Sequence, residues 1–205
     1  MTRAEQKAAT RSRILQGALN IFAERGFDSA SIRDIAAEAG INHGLIRYYF
    51  ADKDGLWKAA VAFLFERMHD ELHTPQEEYT WSDEDQLKAW IRRYVHYCAR
   101  HPEHARIMVQ ESIRDSDRLA WAVEKFIKPD HEALRGRFEA RVKQGFYPDI
   151  PFHSYVYMFT AAAQSPFMLA EEVKRVHGVD VTHESVVNAH ADALYTFFIK
   201  RQPDG

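Results

Sequence analysis

The chain has 205 residues, 46% of them apolar and 28% charged, a composition that excludes a disordered chain and fits one large domain or two small ones. Its 27 Lys and Arg against 30 Asp and Glu give a formal charge of −3, which excludes a nucleic-acid binder that is basic throughout. A single cysteine, Cys98, excludes an internal disulfide and gives no sign of an oxidising compartment.

The opening MTRAEQKAATRSR mixes charges of both signs and has no apolar segment, so it does not read as a signal peptide, and a cytoplasmic location is expected. Nine Gly and seven Pro are few for this length, and no stretch alternates apolar and polar residues long enough for a sheet. About nine helices and an all-α fold are expected. Five of the nine glycines fall between Gly17 and Gly55, which marks that stretch as the one rich in turns.

The first helix is expected over residues 11–27, with Ile14, Ala18, Ile21 and Phe22 on one face and Gly26 at its end. Ser31 stands as the N-cap of a second helix that is only about two turns long. Asp34 occupies the place of a capping-box acid, and Gly40 ends the helix. Asn42 caps a third short helix through Tyr49. Two short helices joined by a turn containing Gly form the helix-turn-helix pattern. Ala36 is small where the helices cross, and Gly40 suits a positive φ. Ile35, Ala39, Ile41 and Ile46 are expected to face inward. His43, Gly44, Leu45, Arg47, Tyr48 and Tyr49 then face outward, as groups able to enter a major groove. Leu45 lies opposite Ile46, which suggests a surface covered on binding. Charge by region agrees: residues 1–56 hold eight basic and seven acidic residues, and the other 149 hold 19 and 23.

Residues 11–56, and above all SIRDIAAEAGINHGLIRYYFADKDGL, resemble the DNA-binding domain of the TetR family of transcriptional regulators. The resemblance implies an amino-terminal three-helix domain over residues 1–56 and a helical bundle over 57–205 for dimerisation and effector binding. Carried over residue by residue, it implies that Ser31 contacts a phosphate and that Arg33 reaches a base or phosphate. Asn42, His43, Gly44 and Leu45 would form the base-reading start of the recognition helix. Tyr48 and Tyr49 would contact phosphates, and Lys53 would bring its charge and the next helix's amino terminus to the backbone. Arg47 sits where the family usually has tyrosine. Gly44 and Leu45 offer no hydrogen-bonding side chain, so direct readout rests on Arg33, His43 and Arg47, with Leu45 available for a thymine methyl.

Further helices are expected over residues 52–72, 83–100, 102–112, 118–144, 152–170 and 183–201. Residues 150–170 carry no Lys, Arg, Asp or Glu, but Pro151, His153, Ser154, Thr160, Gln164, Ser165 and Pro166 make them a buried helix rather than a membrane span. That helix is apolar nearly all round. The last one pairs Val187, Leu194, Phe197 and Phe198 with Ala189, Ala191 and Ala193. Both are expected at the interface of a homodimer, which would present two recognition helices to a palindromic double-stranded operator.

Trp90, Tyr94, Tyr97, Cys98, Met108, Trp121, Phe159, Gln164 and Phe167 supply the aromatic walls and few polar groups of a small-molecule site, which favours an apolar or aromatic effector. Pro166 frees a carbonyl there or only kinks the helix. His69 and His73 at i and i+4 read as a solvated face, and His101 and His104 at i and i+3 flank Glu103. No metal site and no cofactor is expected. No catalytic triad, P-loop or paired Glu-x-x-His pattern appears, so an enzyme is not expected. The leading expectation is a ligand-responsive repressor. A second reading is a helical ligand-binding or interaction protein whose helix-turn-helix has lost DNA function.

Overall fold

The computed structural model describes residues 2–199. These contain eleven α-helices, a 3₁₀ turn at Gln76–Thr80 and no strand among the described residues. The helices are α1 (Arg3–Ser29), α2 (Ile32–Glu38), α3 (His43–Tyr49), α4 (Lys53–Leu72), α5 (Asp83–Arg100) and α6 (Pro102–Arg114). They continue with α7 (Asp117–Ala122), α8 (Lys128–Lys143), α9 (Phe152–Met168), α10 (Ala170–His177) and α11 (Glu184–Phe198). The expected all-α class holds.

Several boundaries differ from the expectation for physical reasons. α1 starts eight residues early because Thr2 caps it: the Thr2 hydroxyl accepts from Glu5 N–H, and the Glu5 carboxylate accepts from Thr2 N–H. Gly26 takes φ 75° and ψ 168°, which breaks the helical path where a break is expected. The helix expected over 118–144 divides instead, with a π-helical turn at Val123–Ile127 and Pro129 in the first turn of α8. α10 is an additional helix, and Gly178 caps it at φ 69°. The last helix ends at Phe198. Residues 200 and 201 of its expected span lie outside the described residues.

The chain forms two compact units. The first joins Met1–Met68 to Glu103–Ala122, so α6 and α7 pack with the amino-terminal helices. Its core holds Ile14, Leu19, Phe22, Ile35, Ile46 and Leu56, all at most 1% exposed. Gly17 of α1 sits against α2's end: a Cβ placed there would meet the Ala39 amide nitrogen at 3.1 Å and the Ala39 Cβ at 3.2 Å. A hydrogen-bond relay crosses the unit. The Arg67 guanidinium donates to Glu103 at 2.7 Å and to Gln16 at 2.9 Å, Gln16 donates to Asn20, and Asn20 donates to Glu38 at 2.8 Å. The relay ties α6, α4 and α1 to α2.

The second unit joins His69–Pro102 to Val123–Gly205. In it α11 packs on α5 and α9, and α9 on α5. The buried faces are short-period stripes, Phe152, Tyr155, Phe159, Ala163 and Phe167 on α9 and Val187, Ala191, Leu194 and Phe198 on α11.

Gly17→Val tests the close approach of α1. The larger side chain forces backbone apart, at a cost of about 1–3 kcal/mol, and the thermal midpoint of the full chain should fall. An unchanged midpoint would show that α1 and Ala39 are not held so tightly.

Candidate functional site

α2 and α3 owe their geometry to two side-chain caps. The Ser31 hydroxyl accepts from Asp34 N–H at 3.1 Å, and the Asn42 carboxamide oxygen accepts from Gly44 N–H at 2.8 Å. Asp34 does not complete the expected capping box: its carboxylate accepts from the Ser31 hydroxyl instead of a backbone N–H, and it pairs with Arg25 at 3.4 Å. The Ser31 hydroxyl holds the Asp34 carboxyl below its ordinary range. The turn between the helices has Gly40 at φ 63°, with open space around it.

On α3 only Ile46 is buried, at 1% exposure. Asn42, His43, Gly44, Leu45, Arg47 and Tyr48 are all exposed, with Leu45 at 41% and Tyr48 at 71%. Arg33 on α2 is exposed as well, and neither Arg33 nor Arg47 forms an ion pair among the described residues. The outward face is therefore a continuous set of unspent donors, an aliphatic side chain and a phenol. It has the reach and chemistry to contact base edges and phosphates. Ile35 and Ala36 are buried beneath it, while Ala39 and Ile41 are half-buried rather than fully inward.

Three residues are partly engaged within the unit. The Tyr49 hydroxyl donates to the Lys7 carbonyl at 3.4 Å, and Phe50 is core. Lys53 donates to the carbonyls of Phe27 at 2.9 Å, Asp28 at 3.3 Å and Ala30 at 3.1 Å, with its ammonium 4.4 Å from the Phe27 ring centroid. All three of its N–H donors have a partner. The start of α4 is occupied too, because the Asp52 carboxylate accepts from Gly55 N–H at 2.7 Å. Sequence reasoning passed over Lys7 and Arg11. Lys7 lies 5.7 Å from the Tyr48 ring and Arg11 lies 5.8 Å from the Phe50 ring, so the exposed basic residues Arg3, Lys7 and Arg11, at i, i+4 and i+8 on α1, extend toward the end of α3. That spacing was the available signal.

A second feature lies wholly in the second unit: a cavity of about 410 Å³ between α5, α8 and α9. Of the nine effector candidates, Trp90 and Phe159 line it. Tyr94 and Gln164 are joined behind it, with the Gln164 amide donating to the Tyr94 hydroxyl at 2.9 Å, and Trp90 stacks on Tyr94 at 5.5 Å. Cys98 and Phe167 are buried, Phe167 beside His190. Met108 and Trp121 belong to the first unit, where Trp121 meets Trp57 edge-on at 6.1 Å. The other walls are Phe138, Phe152 and Tyr155, with Arg137, Arg141 and Tyr147 as polar neighbours. Their signal, the large apolar pair Leu134 and Phe138 on an α8 rich in charge, is weak in isolation.

The folded module and its outward helix define a helix-turn-helix protein. Residues 14–60 match the family described as "Bacterial regulatory proteins, tetR family". The chain is 24% identical over 171 residues to "Probable HTH-type transcriptional regulator YttP" of Bacillus subtilis (strain 168), covering 83% of each chain. It is 46% identical over 61 residues, 30% of this chain and 32% of the other, to the HTH-type transcriptional repressor Rv3405c of Mycobacterium tuberculosis (strain ATCC 25618 / H37Rv). Its fold is similar to that of the ketosteroid transcriptional regulator KstR2 of Mycobacterium tuberculosis. The TM-score there is 0.67 and the identity 16%, over 93% of this chain and 95% of that one. The chain is thus similar to transcriptional regulators of the TetR family, with residues 14–60 carrying the match to the family itself. No helix among the described residues is long and apolar enough to cross a membrane.

Lys53→Met should cost stability, about 1–3 kcal/mol for three carbonyls that lose a charged donor, read as a lower thermal midpoint. Arg47→Ala, on an exposed face, should leave the midpoint within about 0.5 kcal/mol of the parent. Equal midpoints for both variants would contradict the structural role of Lys53. Burial pushes the Cys98 thiol up to about 12, so at pH 8 roughly one thiol in ten thousand is ionised. Native protein should resist iodoacetamide, and unfolded protein should be labelled fully. Fast labelling of the native state would place Cys98 outside the core.

Proposed function

We propose that the chain is a homodimeric, ligand-responsive repressor that binds a palindromic operator through α3, and that it is not an enzyme. The observation that carries this reading is the α3 face, where Ile46 alone of seven residues is buried and His43, Leu45, Arg47 and Tyr48, with the cap residue Asn42, are exposed. Arg33, His43 and Arg47 read bases or phosphates, Leu45 offers an apolar contact, and Ser31, Tyr48 and Tyr49 contact the backbone. Ser31 does so at the expense of its bond to Asp34. Lys53 and the start of α4 act chiefly by fixing the module's shape. In this reading residues 1–56 form the DNA-binding domain, residues 57–205 serve dimerisation and effector binding, and the protein works in the cytoplasm.

The dimer reading rests on faces left open. On α9, Tyr157 is 64% exposed and Met158 49%, and on α11 Phe197 is 83% exposed beside the exposed Ala189 and Ala193. Ala189, Ala193 and Phe197 fall at i, i+4 and i+8, a stripe of small residues with an aromatic knob that suits close helix packing. Exposed apolar surface of this kind marks an interface. A two-fold pair of chains would bring two copies of α3 to successive major grooves. The effector occupies the cavity of the second unit. It shifts the protein only if it binds the DNA-bound and released states with different affinity.

Selection of duplexes from a random pool with the full chain should enrich an inverted repeat, with affinity falling steeply as salt rises. Phe197→Glu should convert the dimer to monomer by sedimentation and weaken operator binding. A folded dimer that enriches no sequence at low salt would favour the reading of a helical interaction protein without DNA function.

A further inference from the structure

The chemistry of the cavity narrows its ligand beyond apolar. We propose that it takes an anionic amphiphile, with a carboxylate or phosphate head at Arg137 and an apolar body against Trp90, Phe138, Phe152 and Phe159. This rests on the reading of the cavity as the effector site. Among the residues that line it are two arginines and no Asp, Glu, Lys or His. The two guanidinium groups are not equivalent. Arg141 is already paired, with Asp83 at 2.9 Å and with the Gln144 side-chain oxygen at 3.3 Å. Arg137, one helical turn earlier on α8, is exposed and forms no ion pair among the described residues. The cavity thus has one uncompensated positive charge, on the planar fork that matches carboxylate and phosphate oxygens two at a time.

The walls complete the class. Trp90 and Phe159 stack at 5.8 Å, and Phe138 meets Phe152 at 5.4 Å and Tyr155 at 5.0 Å, which makes an aromatic lining that favours an apolar body. Tyr147 and Tyr155, whose rings lie 4.7 Å apart, are hydrogen-bonded to each other, and burial pushes both phenols above their ordinary range. They stay neutral and do not repel an anion, and with the Tyr155 hydroxyl donating to Tyr147, the Tyr147 O–H is the one left to donate to it. A cationic amphiphile would face Arg137 and Arg141 with no carboxylate on the lining. A neutral one would fill the walls and leave Arg137 to water.

The test uses the full chain and four probes below their micellar concentrations: decanoate, decyl phosphate, decanol and decyltrimethylammonium. Binding is read by calorimetry. Decanoate or decyl phosphate should bind at least tenfold more tightly than decanol, and the cation should not bind. The stronger of the two anions identifies the head. Arg137→Gln, on an exposed position, should keep decanol binding and reduce the anion to the level of decanol. Equal binding of anion and decanol, an unaffected Arg137→Gln variant, or no binding by any probe would overturn the proposal. An anion that binds through Arg137 without altering affinity for the selected duplex would uphold the ligand class and refute the effector reading. Decanol that releases the duplex as well as the anions would do the reverse.

Discussion

The ammonium of Lys53 closes a loop. Its three donors hold the carbonyls of Phe27, Asp28 and Ala30, so the chain that leaves α1 and the chain that enters α4 meet at one charged group. Everything between those points, including both short helices, is fixed at its two ends. Helices of seven residues are too short to be stable alone, and their caps at Ser31 and Asn42 supply only a few hydrogen bonds. The closed loop and the Gly17–Ala39 approach supply the rest, since one sets the ends of the segment and the other sets its distance from α1. With α2 and α3 held from behind, α3 can spend its outer side chains on a partner. The Phe27 ring takes part twice, because Arg118 of α7 stacks 3.6 Å from it and pairs with the buried Glu111. The relay from Glu103 through Arg67 adds a second link from α6 to α2.

This arrangement makes a division of labour between cations. Lys53 and Arg118 are consumed by the fold, Arg25 by Asp34, and Arg67 by Glu103. Arg33 and Arg47, with Arg3, Lys7 and Arg11 along the start of α1, are exposed and form no ion pair among the described residues. The overall charge of −3 conceals this, because what matters is which charges are unpaired on one face. The same distinction operates in the second unit, where Arg141 is neutralised by Asp83 and Arg137 is not.

Much of the amino-terminal module was legible because its signals are local. Gly26, Ser31, Gly40 and Asn42 act on their own neighbours, and the structure puts each where its backbone preference directs. Asp34 was read to the right position but the wrong partner, since the Ser31 hydroxyl competes with a backbone N–H for the carboxylate. Lys53's role was not legible: its partners lie 23–26 residues away, and no spacing rule reveals a side chain that reaches across a turn. In the remainder, the break at 123–127 carries no Gly or Pro within it, so a continuous helix was the natural expectation. Effector candidates chosen by residue type fell partly in the cavity, partly behind it and partly in the other unit. Aromatic side chains serve core and pocket alike, and only the packing of α8 against α5 and α9 decides which.

The central claim is that α3 enters the major groove, and protection of guanine N7 from methylation tests it most directly. On a selected inverted repeat, the full chain should protect N7 atoms in two patches about one or more helical turns apart. Arg47→Ala should lose the protection at the guanines nearest that residue and keep the others. Tight binding with no N7 protection anywhere would contradict a major-groove role for α3.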